Sequence, residues 1–206
     1  MNRRNYAREL ERIMESSAGK KPTLLLHACC GPCSSGVLEY IKEHFEITLL
    51  WYNPNIYPEA EFEKRLATLN EMLEKLGLSK EVKVIECFWR NEEFEAVAKG
   101  LEAAPEGGER CAKCFELRLE ETAKKAKELN FDCFCTTLTV SRHKDAVRIN
   151  AIGESLGEKY GVSWLPSDFK KRNGENRSQE LSARLGLYRQ LYCGCRYSLV
   201  KRENQN

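Results

Sequence analysis

The chemistry available to this chain is concentrated in its cysteines. The chain has 206 residues and ten cysteines. Most of them fall into three clusters: the C-C-x-x-C of residues 29–33, the C-x-x-C of 111–114 and the C-x-C of 193–195. In a chain without an export signal, clustered cysteines more often bind metal or carry out redox chemistry than form structural disulfides. The sequence therefore predicts a metal or redox centre.

The first two clusters are expected to form one four-sulfur site. Cys29 and Cys30 follow an apolar run and precede Gly31-Pro32, so a turn would bring the vicinal thiols together near a helix N-terminus, which stabilises anionic sulfur. Cys111 and Cys114 have the spacing of ligands that hold one metal or one edge of a cluster. Spacing and placement favour an iron–sulfur site, and zinc is the alternative.

The other clustered cysteines suggest redox or supporting roles. Cys33 is the spare thiol of the first cluster, available to bind a further metal, donate a proton or pack. A disulfide between Cys193 and Cys195 would close a very small ring, so it would be strained and easily reduced. Gly194 makes such a ring conformationally possible. We expect a redox relay here, with two ligands or two unpaired thiols as the alternatives.

Short apolar runs alternate with amphipathic helices along the chain, which predicts right-handed βαβ units. We expect an α/β fold, a three-layer Rossmann-like (nucleotide-alpha-hydrolase-like) and mainly parallel sheet with helices on both faces. We also expect Ser34 or Ser35 to cap the first crossover helix, another helix to begin near Cys114, and a helical segment from Gln179 to Tyr192. The predicted strands are Pro22–His27, Ile47–Tyr52, Val82–Cys87, Phe131–Leu138 and Val162–Leu165.

Length and charge suggest a single domain with a basic end. The predicted parts are an N-terminal helix at 1–20, the α/β core at 22–166 and a C-terminal extension at 167–206 that carries the C-x-C. From Lys170 onward there are nine Lys or Arg against three Glu, although the whole chain has a net charge of only +2. This is either a solvated surface or a docking surface for a polyanion such as RNA. With no apolar run of spanning length and no signal segment, we expect a cytoplasmic protein that does not contact a membrane.

The carboxyl ends of the predicted strands indicate where the site lies. Parallel sheets of this class bind ligands in the crevice outside those ends. The segments that follow the strands are rich in sulfur and polar side chains: 27–30, 52–55, Cys87, 139–144 and 166–171. The sequence therefore predicts that the site lies at one edge of the sheet.

Five motifs in order along the chain resemble a known family. They are HACCGPCS at 27–34, YNPNI at 52–56, RCAKC at 110–114, DFKK at 168–171 and GLYRQLYCGC at 186–195. Together they resemble the cobalamin-independent epoxyqueuosine reductases, from about residue 23 to residue 198. The resemblance implies a two-electron, two-proton deoxygenation of the epoxide of epoxyqueuosine, in the anticodon loop of tRNA, to give queuosine.

The same resemblance implies cofactors. It places a [4Fe–4S] cluster on Cys29, Cys30, Cys111 and Cys114, and a redox-active disulfide between Cys193 and Cys195. An additional iron next to the cluster is consistent with the family. The electron donor is not indicated.

Further residues are candidates for catalysis or for binding tRNA. Cys33 and Asp168 are candidates to protonate the departing oxygen. The candidates for substrate contacts include cations for phosphate, tyrosines for base stacking and asparagines for hydrogen bonds: Lys170, Lys171, Arg172, Arg177, Arg142, His143, Tyr52, Tyr188, Tyr192, Asn53 and Asn55.

Two other functions compete with the reductase. An ATP-dependent tRNA sulfurtransferase of similar fold would carry an S-G-G-x-D-S loop, but here the loop reads CCGPCSSG, lacks the Asp and loses a backbone donor at Pro32. A zinc-stabilised RNA-binding module would explain the basic C-terminal part and the C-x-x-C. It would not explain the vicinal pair or the C-x-C.

Overall fold

The computed structural model describes residues 4–16 and 19–203 and is built on a parallel sheet. The strands are β1 (Thr23–His27), β2 (Glu46–Trp51), β3 (Lys83–Glu86), β4 (Cys133–Thr136) and β5 (Ser163–Trp164). They lie in the order β3-β2-β1-β4-β5, and each neighbouring pair is parallel. The predicted parallel α/β sheet is confirmed.

Helices cover both faces of this sheet. They are α1 (Tyr6–Ser16), α2 (Gly31–Ile41), α3 (Glu59–Lys75), α4 (Asn91–Ala98), α5 (Glu109–Glu128), α6 (Ala146–Tyr160), α7 (Gly174–Arg184) and α8 (Arg196–Glu203), with a 3-10 turn at Thr137–Val140. Successive side chains of a strand point to opposite faces. On β1, Leu24 and Leu26 accordingly pack in a cluster with residues of α2 and α3, whereas Leu25 packs with residues of α5 and α6. The predicted three layers are confirmed.

The N-terminal helix is amphipathic, as its sequence predicts. Tyr6, Leu10 and Met14 are buried, and the last two belong to the core cluster on the α2–α3 side. Residues 1–3 and 17–18 of the predicted helical stretch lie outside the described residues. Within the part of the chain that the structure describes, no helix is long and apolar enough to cross a membrane.

The prediction that Ser34 or Ser35 caps α2 is wrong. The helix begins earlier, and Cys30 is its N-cap, with a sulfur that accepts a hydrogen bond from the Cys33 backbone N–H at 3.3 Å. The two serine hydroxyls instead donate to the carbonyls of Cys30 and Pro32. A thiol takes the role that a hydroxyl or carboxylate usually fills, so the first cysteine cluster is part of the helix start.

Two other predicted helix boundaries are wrong. Helix α5 begins at Glu109, so the C-x-x-C lies in its first two turns; Arg110 stabilises this start by donating to the carbonyls of three residues of the preceding loop. At the other end of the chain, α7 stops at Arg184 and is followed by Gly186 with φ of 61°. Residues 187–195 are therefore not helical, and we call them the C-x-C segment.

Gly153 allows α6 to pack against β5. A Cβ at this position would overlap the indole of Trp164. We expect Gly153→Ala to lower the free energy of unfolding by about 1–3 kcal/mol net, because overpacking outweighs the helix propensity of up to about 1 kcal/mol that alanine regains. Urea unfolding measures this. Glu158→Ala on the same helix should stay within about 0.5 kcal/mol of the parent, and equal stability of the two variants would contradict the packing argument.

Candidate active site

A crevice of about 780 Å³ lies at the carboxyl edge of the sheet. We call it the cysteine crevice, because its lining includes Cys29 and Cys33 from the β1–α2 turn and Cys193 from the C-x-C segment, together with Arg118 and Lys144. The side chains come from segments far apart in sequence. The predicted placement at this edge of the sheet agrees with the structure.

Three sulfurs of the first cluster converge. Those of Cys29, Cys30 and Cys33 all lie within 4.8 Å of one another. Thr137 accepts from the backbone N–H of Cys29 at 3.1 Å and lies 3.3 Å from its sulfur. Hydrogen bonds from Cys30 and Cys33 lower the pKa of Cys29 well below its usual value, and the same contacts raise the pKa of Cys33. Within this group the thiolate form is therefore favoured at Cys29 over Cys33.

Arg118 is buried between β1, β2 and α5, with 3% of its surface exposed. Its guanidinium contacts Asn53 Oδ1 at 2.6 Å, His27 Nε2 at 3.2 Å and Cys114 Sγ at 3.9 Å. Burial lowers the pKa of His27 to about 3, and the charge of Arg118 adds to this effect, so the imidazole is neutral. Among the contacts of the described residues, Arg118 has no carboxylate partner. An anionic group in this crevice would supply the missing partner.

The C-x-x-C lies on the same side of α5 as Arg118. Cys114 precedes Arg118 by four residues and is buried, which raises its pKa to about 11. Cys111 accepts from the Gly107 N–H at 3.2 Å. Neither belongs to the compact three-sulfur group. A second cavity of about 580 Å³, the dithiol cavity, is lined by Cys111 together with both cysteines of the C-x-C.

Hydrogen bonds hold the C-x-C segment against α3 and the turn before it. Arg65 donates to the Cys193 carbonyl at 3.2 Å, and the Gly194 carbonyl accepts from the Tyr57 N–H at 2.9 Å. Gly194 has φ of 128°, which L side chains rarely adopt. Cys193 and Cys195 are free thiols in the structure, so the disulfide that the resemblance implies stays a prediction for an oxidised state.

Lys144 contacts the C-x-C directly. Its Nζ lies 2.8 Å from Cys193 Sγ and 5.7 Å from the ring centroid of Phe115. Burial opposes the charge of Lys144, but the neighbouring sulfur of Cys193 raises the pKa of the lysine above its usual value. The structure therefore pairs an ammonium with this thiol.

The predicted substrate contacts differ in their surroundings. Asn55 is buried and lines the cysteine crevice, and its Oδ1 lacks a hydrogen-bond partner among the described residues. Tyr192 also lines the crevice. Asn53 instead binds Arg118 and the Ala28 carbonyl. Tyr52 bonds Glu93 through its hydroxyl and lines a separate cavity. A buried amide or phenol needs partners, and for these two side chains the protein supplies them.

The predicted phosphate-binding cations fall into two groups. Lys170 and Lys171 line a cavity of about 520 Å³, the basic cavity, together with Asp168, Arg172, Lys144 and two arginines of the N-terminal part, Arg4 and Arg8. Arg142 and Arg177 do not line it; Arg142 pairs with Glu175 at 2.9 Å and Arg177 with Glu39 at 2.6 Å. Asp168 lies 2.7 Å from Lys170 and does not line the cysteine crevice. Lys144 lines both cavities.

The sequence prediction missed Arg118, Thr137 and the contact of Lys144. The signal for Arg118 was its position four residues after Cys114, which places both on one helix face. Lys144 belongs to the segment after β4 that was expected at the site edge, but its partner is 49 residues away in sequence.

The fold and the crevice together define a Rossmann-like protein with a site lined by cysteines. The chain belongs to the epoxyqueuosine reductase QueH family, whose sequence model matches residues 24–201. A relative of that name from Streptococcus pyogenes serotype M1 is 38% identical over 198 residues, 94% of this chain and 78% of the relative. Another, from Staphylococcus epidermidis, is 40% identical over 205 residues, 96% of this chain and 85% of the relative.

A solved structure shares the fold. It is the U34-tRNA thiolase NcsA from Methanococcus maripaludis with its [4Fe-4S] cluster, which is 17% identical with a TM-score of 0.51. The match covers 94% of this chain and 68% of that chain. At this identity the likeness supports the three-layer α/β fold alone.

We expect Arg118→Met to destabilise the protein by about 1–3 kcal/mol, because Asn53 and His27 would keep buried acceptors without a donor. Chemical denaturation followed by circular dichroism measures the loss. Arg12→Met, on the exposed side of α1, is the matched control and should change stability by less than about 0.5 kcal/mol. Equal effects of the two substitutions would show that Arg118 is not an organising contact.

Proposed function

We propose that this chain reduces the epoxide of epoxyqueuosine in tRNA to queuosine. The observation that carries the proposal is the cysteine crevice, which brings thiols of the β1–α2 turn and of the C-x-C segment together. The chain that forms it belongs to the epoxyqueuosine reductase family. The predicted site residues Cys29, Cys33 and Cys193 all line it.

A [4Fe–4S] cluster would be held by Cys29, Cys30, Cys111 and Cys114. Arg118 contacts Cys114 and its charge favours the thiolate of Cys29, so one buried cation bridges the two pairs. A cluster held by thiolates is anionic and would neutralise this cation. Cys33 is the thiol left over, and we assign it as the candidate ligand of the additional iron or as a proton donor. The cluster, when bound, would pass electrons one at a time to the substrate.

The chain's own groups would supply the remaining chemistry. Deoxygenation of an epoxide to an alkene consumes two electrons and two protons and releases water. The thiols of Cys193 and Cys195 hold two electrons, which they release on forming a disulfide. Of the two candidate proton donors, Cys33 lines the cysteine crevice and Asp168 lines the neighbouring basic cavity. This placement favours Cys33.

Binding of tRNA would use both cavities. The buried amide oxygens of Asn55 and Gln190 have no partner among the described residues and line the cysteine crevice, where they would accept hydrogen bonds from the modified base or its diol. Tyr192 is the predicted stacking tyrosine that lines the crevice. Phosphates would lie over the basic cavity, beside Lys171 and Arg8.

We also propose that the chain acts as one domain. The C-terminal extension at 167–206 supplies α7, which packs on α2, and the C-x-C segment, which forms one wall of the crevice. The site is therefore incomplete without the extension.

The two rival functions give different results in the same experiments. A tRNA sulfurtransferase would catalyse ATP–pyrophosphate exchange, but here the loop after β1 is occupied by cysteines, with Cys30 as the helix cap. A zinc-stabilised RNA-binding module would contain zinc without sulfide.

We expect anaerobically purified protein to contain about four irons and four sulfides per chain and to convert epoxyqueuosine in tRNA to queuosine, as measured by mass spectrometry of the nucleosides. Cys30→Ser should lose the cluster, because serine keeps the N-cap but not the thiolate. Cys87→Ser is the control, because Cys87 does not line the crevice; this variant should retain both the cluster and the conversion of epoxyqueuosine. One zinc without sulfide would reject the iron–sulfur site, and a full cluster without conversion would reject the activity.

Salt dependence tests the tRNA surface. For Arg8→Ala and for Lys171→Ala we expect weaker tRNA binding and a salt slope reduced by about 1 for each phosphate that the variant no longer binds. Lys83→Ala, an exposed residue that begins β3 and so lies at the opposite sheet edge, is the control. Unchanged slopes in both test variants would place the phosphates elsewhere.

A further inference from the structure

The contact between Lys144 and Cys193 makes the two thiols of the C-x-C unequal. Lys144 Nζ lies 2.8 Å from the Cys193 sulfur, across 49 residues of sequence. The side chain reaches it from the turn before α6, and the backbone carbonyl of Lys144 is in turn 3.5 Å from Lys170 Nζ. An adjacent ammonium stabilises negative charge on a sulfur as that sulfur reacts.

The second thiol has a different environment. Cys195 is 9% exposed and packs in a small cluster with Phe94, Ala98 and Cys114. Its sulfur lies 3.5 Å from the Ser198 hydroxyl, and no cation contacts it among the described residues. Cys193 is more exposed and lines both the cysteine crevice and the dithiol cavity, whereas Cys195 lines only the dithiol cavity.

We propose that Lys144 is a positioning residue that makes Cys193 the nucleophilic sulfur of the dithiol and leaves Cys195 as the resolving sulfur. Charge and access both favour Cys193. The inference deepens the proposed function, since it assigns separate roles within the relay. It is tested by thiol chemistry alone, without tRNA, so its failure is distinguishable from failure of the reductase activity.

The two roles predict the order of steps in which an aromatic disulfide reagent such as dithionitrobenzoate oxidises the dithiol. The Cys193 thiolate attacks the reagent, forms a mixed disulfide and releases one aromatic thiolate. The Cys195 thiol then attacks the Cys193 sulfur, releases the second aromatic thiolate and a proton, and closes the disulfide. The protein loses two electrons and the reagent gains them.

The sequence allows both sulfurs to be followed in one peptide. Arg189 and Arg196 bracket the motif, so trypsin releases residues 190–196 with Cys193 and Cys195 as their two cysteines. In the full-length chain, Cys195→Ser should accumulate the mixed disulfide on Cys193. In Cys193→Ser, the reagent should modify Cys195 at no more than about one tenth of the rate at which it modifies Cys193 in Cys195→Ser. Mass spectrometry of this peptide at timed quenches gives both rates.

The role of Lys144 is tested in the Cys195→Ser background. In Lys144→Met the Cys193 sulfur loses its 2.8 Å contact with the ammonium, so its modification should slow by about 3- to 50-fold. Lys144→Arg should restore most of the rate. Lys159→Met is the control on α6, because Lys159 is an exposed lysine paired with Glu120, and its rate should match that of the parent.

Two results would overturn the inference. One is faster modification of Cys195 in Cys193→Ser than of Cys193 in Cys195→Ser, a comparison that needs no lysine variant and holds even if Lys144→Met fails to fold. The other is an unchanged rate in a folded Lys144→Met, or equal slowing in Lys144→Arg, which would mean that the lysine packs against the segment without supplying its charge.

Discussion

The burial of Arg118 is the constraint on which the site depends. A guanidinium removed from water must be hydrogen-bonded on several sides. Its partners are His27 at the end of β1, Asn53 after β2 and Cys114 on α5. Meeting this requirement fixes the C-x-x-C helix relative to the turn that carries the first cysteine cluster. The same cation favours thiolate at Cys29, so one residue links the geometry of the site to its charge.

A second set of contacts brings the C-x-C segment to this centre. The segment has no regular secondary structure, so its backbone groups must find partners elsewhere. Arg65 and the Tyr57 N–H provide them from α3 and the turn before it. Lys144, from the turn before α6, contacts the Cys193 sulfur. These contacts hold the segment through its backbone and through the Cys193 side chain. They place Cys193 where it lines both the cysteine crevice and the dithiol cavity.

Charge is divided between neighbouring cavities. Arg118 and Lys144 line the cysteine crevice together with thiols, whereas Lys171, Arg8 and Asp168 line the basic cavity. Lys144 lines both. This arrangement suits a substrate whose polyanionic backbone lies over one cavity while the reacting group enters the other. The N-terminal helix, outside the residues that match the family, contributes Arg8 to the lining of the basic cavity.

Local patterns in the chain were sufficient to predict the layered parallel fold and the sheet edge at which the cysteine crevice lies, because apolar periodicity and cysteine spacing are local properties. The folded structure was needed to show which side chains meet there. Cys30 caps α2 through a hydrogen bond to its sulfur. The path of the C-x-C segment depends on hydrogen bonds to residues distant in the chain. The contact of Lys144 with Cys193 and the burial of Arg118 have the same origin. Such pairings are set by packing of whole elements, which no local pattern encodes.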